Sequence, residues 1–146
     1  MAITAYVPNL TKARLMEGYF DFETDTLKAV LLDSGAIPFD IDNDNTYSDV
    51  SSHELSTGSG YTVGGTTVTT PSVDEDDTND KGTFTCDTIS WTCNSTSGIG
   101  PFSAMAIYDD TTADDAIVAL VDWDESISVA DTEIFQATDL TISISG

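Results

Sequence analysis

Two apolar stretches in the last third of the chain restrict its fold more than any other feature. Residues 102–108 and 116–123 are apolar at both positions of a two-residue alternation, and the turn between them holds six polar residues and Ala113. Side chains along a strand alternate between faces, so a strand apolar at both parities must be covered on both sides. The pair reads as an antiparallel hairpin at the centre of the molecule. Residues 26–33 repeat the pattern, with Leu27, Ala29 and Leu31 on one face and Val30 and Leu32 on the other.

The other segments predict thinner strands. Residues 60–70 form a Thr-rich edge strand bent at Gly64 and Gly65,. Residues 71–82 make an acidic hairpin tip, 83–91 a returning strand and 94–101 a turn. Near the C-terminus, Leu140, Ile142 and Ile144 alternate with Thr141, Ser143 and Ser145, which leaves one face wet. Residues 34–59 are polar and aperiodic, a loop with a short helical turn at 47–55. Helical spacing occurs once, over 10–17, where Leu10, Ala13, Met16 and Phe20 share a stripe, Asn9 can cap the start and Gly18 can supply a left-handed stop,. Roughly seven short strands and one N-terminal helix, with no βαβ rhythm, predict a mainly β fold: an antiparallel β-sandwich or a jelly-roll-like barrel. One domain over 1–146 is expected, with 1–20 as an N-terminal arm and helix.

Charge excludes several partners. The chain carries 26 Asp plus Glu against 4 Lys plus Arg, a formal net charge of -22. Nucleic acid is bound through cations that displace counterions, and these are nearly absent, so neither nucleic acid nor an anionic membrane is an expected partner. No apolar run approaches the ~20 residues of a membrane span, and the first eight residues lack the pattern of a secretory signal, so synthesis in the cytoplasm is expected. Spread over the surface of a folded chain of this mass, the carboxylates average about 17 Å apart, beyond a screening length of about 8 Å in physiological salt. Clusters are the exception: Asp74, Glu75, Asp76 and Asp77 adjoin, and Asp109, Asp110, Asp114 and Asp115 crowd one turn. Asp supplies 20 of the 26 acids, which suits either a salt-rich setting or a β protein that uses Asp in its turns.

Reactive constellations are sparse, and the chain reads as a non-enzyme. The single histidine, His53, lies in Ser51-Ser52-His53-Glu54, but neighbours on one loop do not face one another as a triad must. Asp40, Asp42 and Asp44 follow the spacing of the first three ligands of a calcium loop; Asn45 stands where the EF-hand has Gly and Ser51 where it has Glu, so an irregular cation site is the candidate there and no other cofactor is expected,. Cys86 and Cys93 are too few for a zinc site. They form either two thiols or a disulfide across a bend near Ile89.

The helix ending at Gly18, the strand Asp25-Thr26-Leu27-Lys28-Ala29-Val30-Leu31-Leu32, Tyr47-Ser48-Asp49-Val50 and Glu54-Leu55 running into Gly58-Ser59-Gly60-Tyr61-Thr62-Val63-Gly64-Gly65 resemble a group of small acidic β-rich virion proteins of tailed viruses. The segment 83–91 and the apolar hairpin extend the resemblance over most of the chain, and 47–65 is its most specific part. It implies a capsid decoration or cement protein on the outer surface of the virion. Its partners would be the major capsid protein and further copies of itself, as a homotrimer or other symmetric assembly. The two cysteines and the acidic 74–77 tip depart from the group.

Residues 1–20 carry a net +1 and residues 21–146 a net -23. This asymmetry nominates Tyr6, Leu10, Lys12, Arg14, Tyr19 and Phe20 as a docking segment, unless Leu10 and Phe20 simply cover one end of the sandwich. A tail or fibre protein that grips host sugars through Trp91, Trp123 or tyrosines is the alternative, and a hydrolase a remoter one.

Overall fold

The computed structural model describes residues 4–145; residues 1–3 of the expected N-terminal arm and Gly146 lie outside the described residues. Among the described residues ten strands make three antiparallel sheets. The central one has the order β1 (Thr4–Tyr6), β8 (Ile117–Val129), β7 (Ile99–Asp109), β2 (Leu27–Leu32) and β3 (Thr66–Thr67). A three-stranded sheet has the order β10 (Thr141–Ser145), β5 (Lys81–Thr85), β4 (Ser72–Asp76), and β6 (Ile89–Thr92) pairs with β9 (Ile134–Ala137).

Parity along the apolar strands explains the layering. Leu27, Ala29, Leu31, Met105 and Ile107 belong to one buried cluster, which the smaller sheets complete with Phe84, Ile89 and Trp91. Val30, Leu32, Ala104, Ala106 and Tyr108 face the other way and are covered by Val50, Tyr6, Phe39 and Tyr47. The strands expected to be apolar on both sides are thus buried on both sides, at the middle of the main sheet. One register step matters: Ile107 pairs with Ala119 while Tyr108 pairs with Ile117, leaving Val118 as an extra residue whose side chain joins the first cluster,.

Several elements differ from the sequence reading. The strand expected over 83–91 is two, because residues 86–88 break it and send β5 and β6 to different sheets. The acidic tip is shorter than 71–82: Asp74, Glu75 and Asp76 lie within β4, and the turn is residues 77–80. Only two residues of the 60–70 segment pair as a strand, after the positive-φ bend at Gly64 and Gly65. Gly65 is required there, since a Cβ would stand 2.0 Å from the Ala29 carbonyl oxygen,.

Helix α1 (Asn9–Met16) forms where expected and stops at Gly18, whose φ is 69°. Its cap position is Pro8, however, and the Asn9 side chain turns instead to the Asp42 carboxylate. The expected apolar stripe is not its buried face. Leu10 is 38% and Met16 86% exposed, while Thr11 is buried and donates to the Ile117 carbonyl. Two turns of helix are oriented by polar anchors here: the Asn9 amide on the Ile41 carbonyl, Thr11 on β8, and Arg14 on Asp114.

Candidate functional site

The densest polar chemistry forms around Glu54. A short helix, α2 (Tyr47–Val50), starts at a capping box in which Thr46 and Asp49 satisfy each other's backbone, and a 3₁₀ turn over Ser51–His53 follows,. Glu54 then bridges to Leu32 beside β2. Its Oε1 accepts from the Tyr61 hydroxyl at 2.7 Å and from the Gly64 amide at 2.7 Å, and its Oε2 from the Tyr47 hydroxyl. Tyr61 Oη also accepts from the Leu31 amide at 3.1 Å, while Tyr108 donates to the Gly64 carbonyl at 2.8 Å and stacks on Tyr47 with ring centroids 4.5 Å apart. Burial, and then Glu54 itself, push the Tyr47 and Tyr61 phenols far above their ordinary range; burial and nearby Asp110 do the same to Tyr108,. A carboxylate with three donors and phenols held neutral make a lock between the 47–64 loop and the main sheet.

The residues nominated for chemistry separate in space. His53 Nδ1 stands 3.3 Å from Asp33 Oδ1, Ser51 Oγ donates to the Ser48 carbonyl, and Glu54 is engaged with the tyrosines. Asp40, Asp42 and Asp44 fold a turn instead of converging. Asp40 accepts from the Asp42 amide and the Asn43 side chain, Asp44 from the Asp40 amide, and Asp42 from Asn9. The Asn43 hydrogen bond holds the Asp40 carboxyl below its ordinary value. Among the described residues no group of three or more His, Cys, Asp or Glu is placed to hold a metal ion. Cys86 is half-buried and Cys93 buried, both as free thiols. Trp91 and Trp123 are 4% and 5% exposed, packed with Phe135, so the sugar-stacking role considered for them has no surface to act from.

The nominated docking residues divide. Tyr6 covers the main sheet against Phe39. Arg14 pairs with Asp114 at 2.8 Å and lies over the Tyr19 ring, and Tyr19 donates to the same carboxylate at 3.0 Å. Burial would raise Asp114, but the hydrogen bonds from Arg14 and Tyr19 outweigh it and hold the carboxyl low. Leu10 and Lys12 remain at the surface, and Phe20 stacks on Phe22.

Phe20 and Phe22 form one wall of a groove of about 500 Å³, lined predominantly by apolar side chains between α1 and the three-stranded sheet. Val7, Leu15 and Val118 line it on one side; Val73, Phe84, Ile142 and Ile144 line it on the other. Asp21 and Glu23 stand at the groove. The register places Val73, Phe84 and Ile142 in one rung and Glu75, Gly82 and Ile144 in the next. A Cβ built on Gly82 would meet nothing within 4 Å, so the trough is open over that rung. The alternation of Ile142 and Ile144 foretold an apolar face; that Ile144 stays 53% exposed on that face did not follow from it.

Among the described residues one acid is fully buried, and the sequence reading took it as one more carboxylate of the 109–115 cluster. Asp109, at 0% exposure, accepts from the Thr111 amide through Oδ1, while its Oδ2 is buried without a partner. Burial, and Asp25 within hydrogen-bonding reach, push its carboxyl up to about 6.

Comparison with protein-family models, with curated proteins and with solved structures finds no match to this chain.

Proposed function

We propose that this chain is a structural, non-catalytic protein of a virus particle: a decoration (cement) protein on the outer surface of the head of a tailed virus, bound to the major capsid protein. The observation that carries the reading is the apolar groove beside α1. On a molecule of net charge -22, a trough lined by Val7, Leu15, Phe20, Phe84 and Ile142 is where contact with a large assembly desolvates the fewest charges. Its occupant is an apolar segment of the capsid protein flanked by Lys or Arg, which would face Asp21 and Glu23. The segment that carries the resemblance to virion proteins supports the same reading, because residues 47–65 supply Tyr47, Glu54, Tyr61 and Gly64 to the Glu54 lock. Rigid fixation of a loop suits a shell component.

Two measurements test this. Purified particles should carry on the order of hundreds of copies by quantified gel, as a shell lattice requires; a handful would place the protein in the tail. Gly82→Trp fills the groove from a position with open space above it and should lower particle occupancy roughly tenfold, about 1.4 kcal/mol of docking energy. A folded Gly82→Trp protein that decorates particles normally would remove the groove from the contact.

A further inference from the structure

Among the described residues the three-stranded sheet has two edges without a neighbouring strand, and they are of opposite character. The β4 edge carries Asp74, Glu75 and Asp76, and its Val73 amide is covered by Glu23 at 3.4 Å. The β10 edge reads Thr141-Ile142-Ser143-Ile144-Ser145, with no charge, and among the described residues no strand pairs with its outer side. Exposed strand edges invite pairing, and proteins suppress this with charge. Here one edge is charged and the other is not, although the chain has 26 acids to distribute.

We propose that two copies of this chain associate through β10, paired antiparallel about a two-fold axis at Ser143. In that register Thr141 stands opposite Ser145, and Ile142 of one copy opposite Ile144 of the other, so both isoleucine pairs lie on the groove face. A one-residue slip would turn one copy's isoleucines to the other face, which fixes the register. The product is a six-stranded sheet in the order β4-β5-β10-β10-β5-β4, whose outer edges both present the three carboxylates of β4. Like charges there stop further strand addition, so the assembly closes at two. A second copy is the occupant that fits, because two chains of charge -22 repel each other least where both lack carboxylates, and β10 is such a strip. Lys81 lies across from Ser145 in the β5–β10 register, so the nearest side-chain charge on that rung is positive. The inference stands apart from the virion reading and holds or fails without it.

Sedimentation velocity at molar salt should give twice the 15.5 kDa chain mass, and dilution into low salt should dissociate the pair. Ser143 is exposed, so Ser143→Glu and Ser143→Lys spare the monomer while setting like charges face to face at the axis. Each alone should lose the dimer, and an equimolar mixture of the two should regain it, which also shows that both variants fold. In a second variant, Thr141→Lys and Ser145→Glu in one chain set Lys opposite Glu twice and should tighten the dimer several-fold. A wild-type chain that stays monomeric, a trimer, dimerisation untouched by both single variants, or a mixture that fails to reassociate would each overturn the proposal.

Discussion

Glu54 accepts three hydrogen bonds from groups that have little other recourse: two phenols, both with pKa values raised by burial, and a backbone amide in a glycine bend. Glu54→Ala removes the acceptor and leaves the donors unpaired, and should cost about 3 kcal/mol in urea unfolding; Glu54→Gln keeps an acceptor oxygen and should cost about 1 kcal/mol. Neutral phenols are part of the lock. Because the folded-state values of Tyr47, Tyr61 and Tyr108 lie above the ordinary 10.0, their contribution is complete below pH 10 and is lost as pH rises beyond it, so alkaline unfolding should coincide with their ionisation at 295 nm. Asp109 has the same sign lower on the scale. Its raised carboxyl favours the folded state fully below its ordinary 3.8 and loses that contribution as pH rises through about 6,. Asp109→Asn can keep the bond from the Thr111 amide and donate to Asp25, so it should raise Tm at pH 8 by about 3 °C, roughly 1 kcal/mol, and give no gain at pH 4. Calorimetry at the two pH values decides. Neither cluster was legible as such. Tyr47, Glu54, Tyr61 and Gly64 stand out in the sequence as parts of a motif, but their convergence depends on a loop closing over β2, and Asp109 looks like any other acid in its run.

At the scale of elements, alternation was the dependable signal. Apolar residues at both parities in residues 26–33, 102–108 and 116–123 placed β2, β7 and β8 at the centre, because burial of both faces is a local property of a strand. Orientation and breaks were less readable. The helix turned its Leu10 and Met16 outward because hydrogen bonds and one ion pair set its roll, and the 83–91 segment divided at residues 86–88 where the chain changes sheet. The glycines provide a test of how tightly elements are fitted. Gly65→Ala would drive a Cβ into the Ala29 carbonyl at 2.0 Å in a φ of +79°, and should destabilise by at least about 3 kcal/mol,. Gly82→Ala, inside a strand with open space above it, should be neutral or mildly stabilising,. Denaturant midpoints of the two variants would contradict this packing if they matched.

For the whole molecule, three of the four cations are already committed: Arg14 to Asp114, Lys28 to Asp110 and Lys81 to Asp76. The N-terminal segment is therefore less of a positive end than its count of +1 suggests, since the Arg14 charge is matched within the fold. The remaining carboxylates repel one another across 7508 Å² of surface. Raising NaCl from 0.01 M to 1 M shortens screening from about 30 Å to about 3 Å. It weakens three partly exposed ion pairs, each worth at most about 1 kcal/mol, but it relieves repulsion over the whole net charge. The unfolding midpoint should rise by several degrees; a flat or falling midpoint would mean that the charge is balanced locally.

The abundance of Asp has a geometric side. Among the described residues, four of the seven non-glycine residues at positive φ are Asp80, Asp115, Asp124 and Asp139. Elsewhere the carboxylates of Asp33, Asp40, Asp109 and Asp122 each accept the amide two residues on,. Asn can make the same turn bond and enter the same backbone region, whereas Glu, one methylene longer, fits neither as well. Charge and shape are thus separable at these sites: Asp→Asn exchanges would let the molecule approach neutrality with its turns intact, while Asp→Glu exchanges would hold -22 and loosen them.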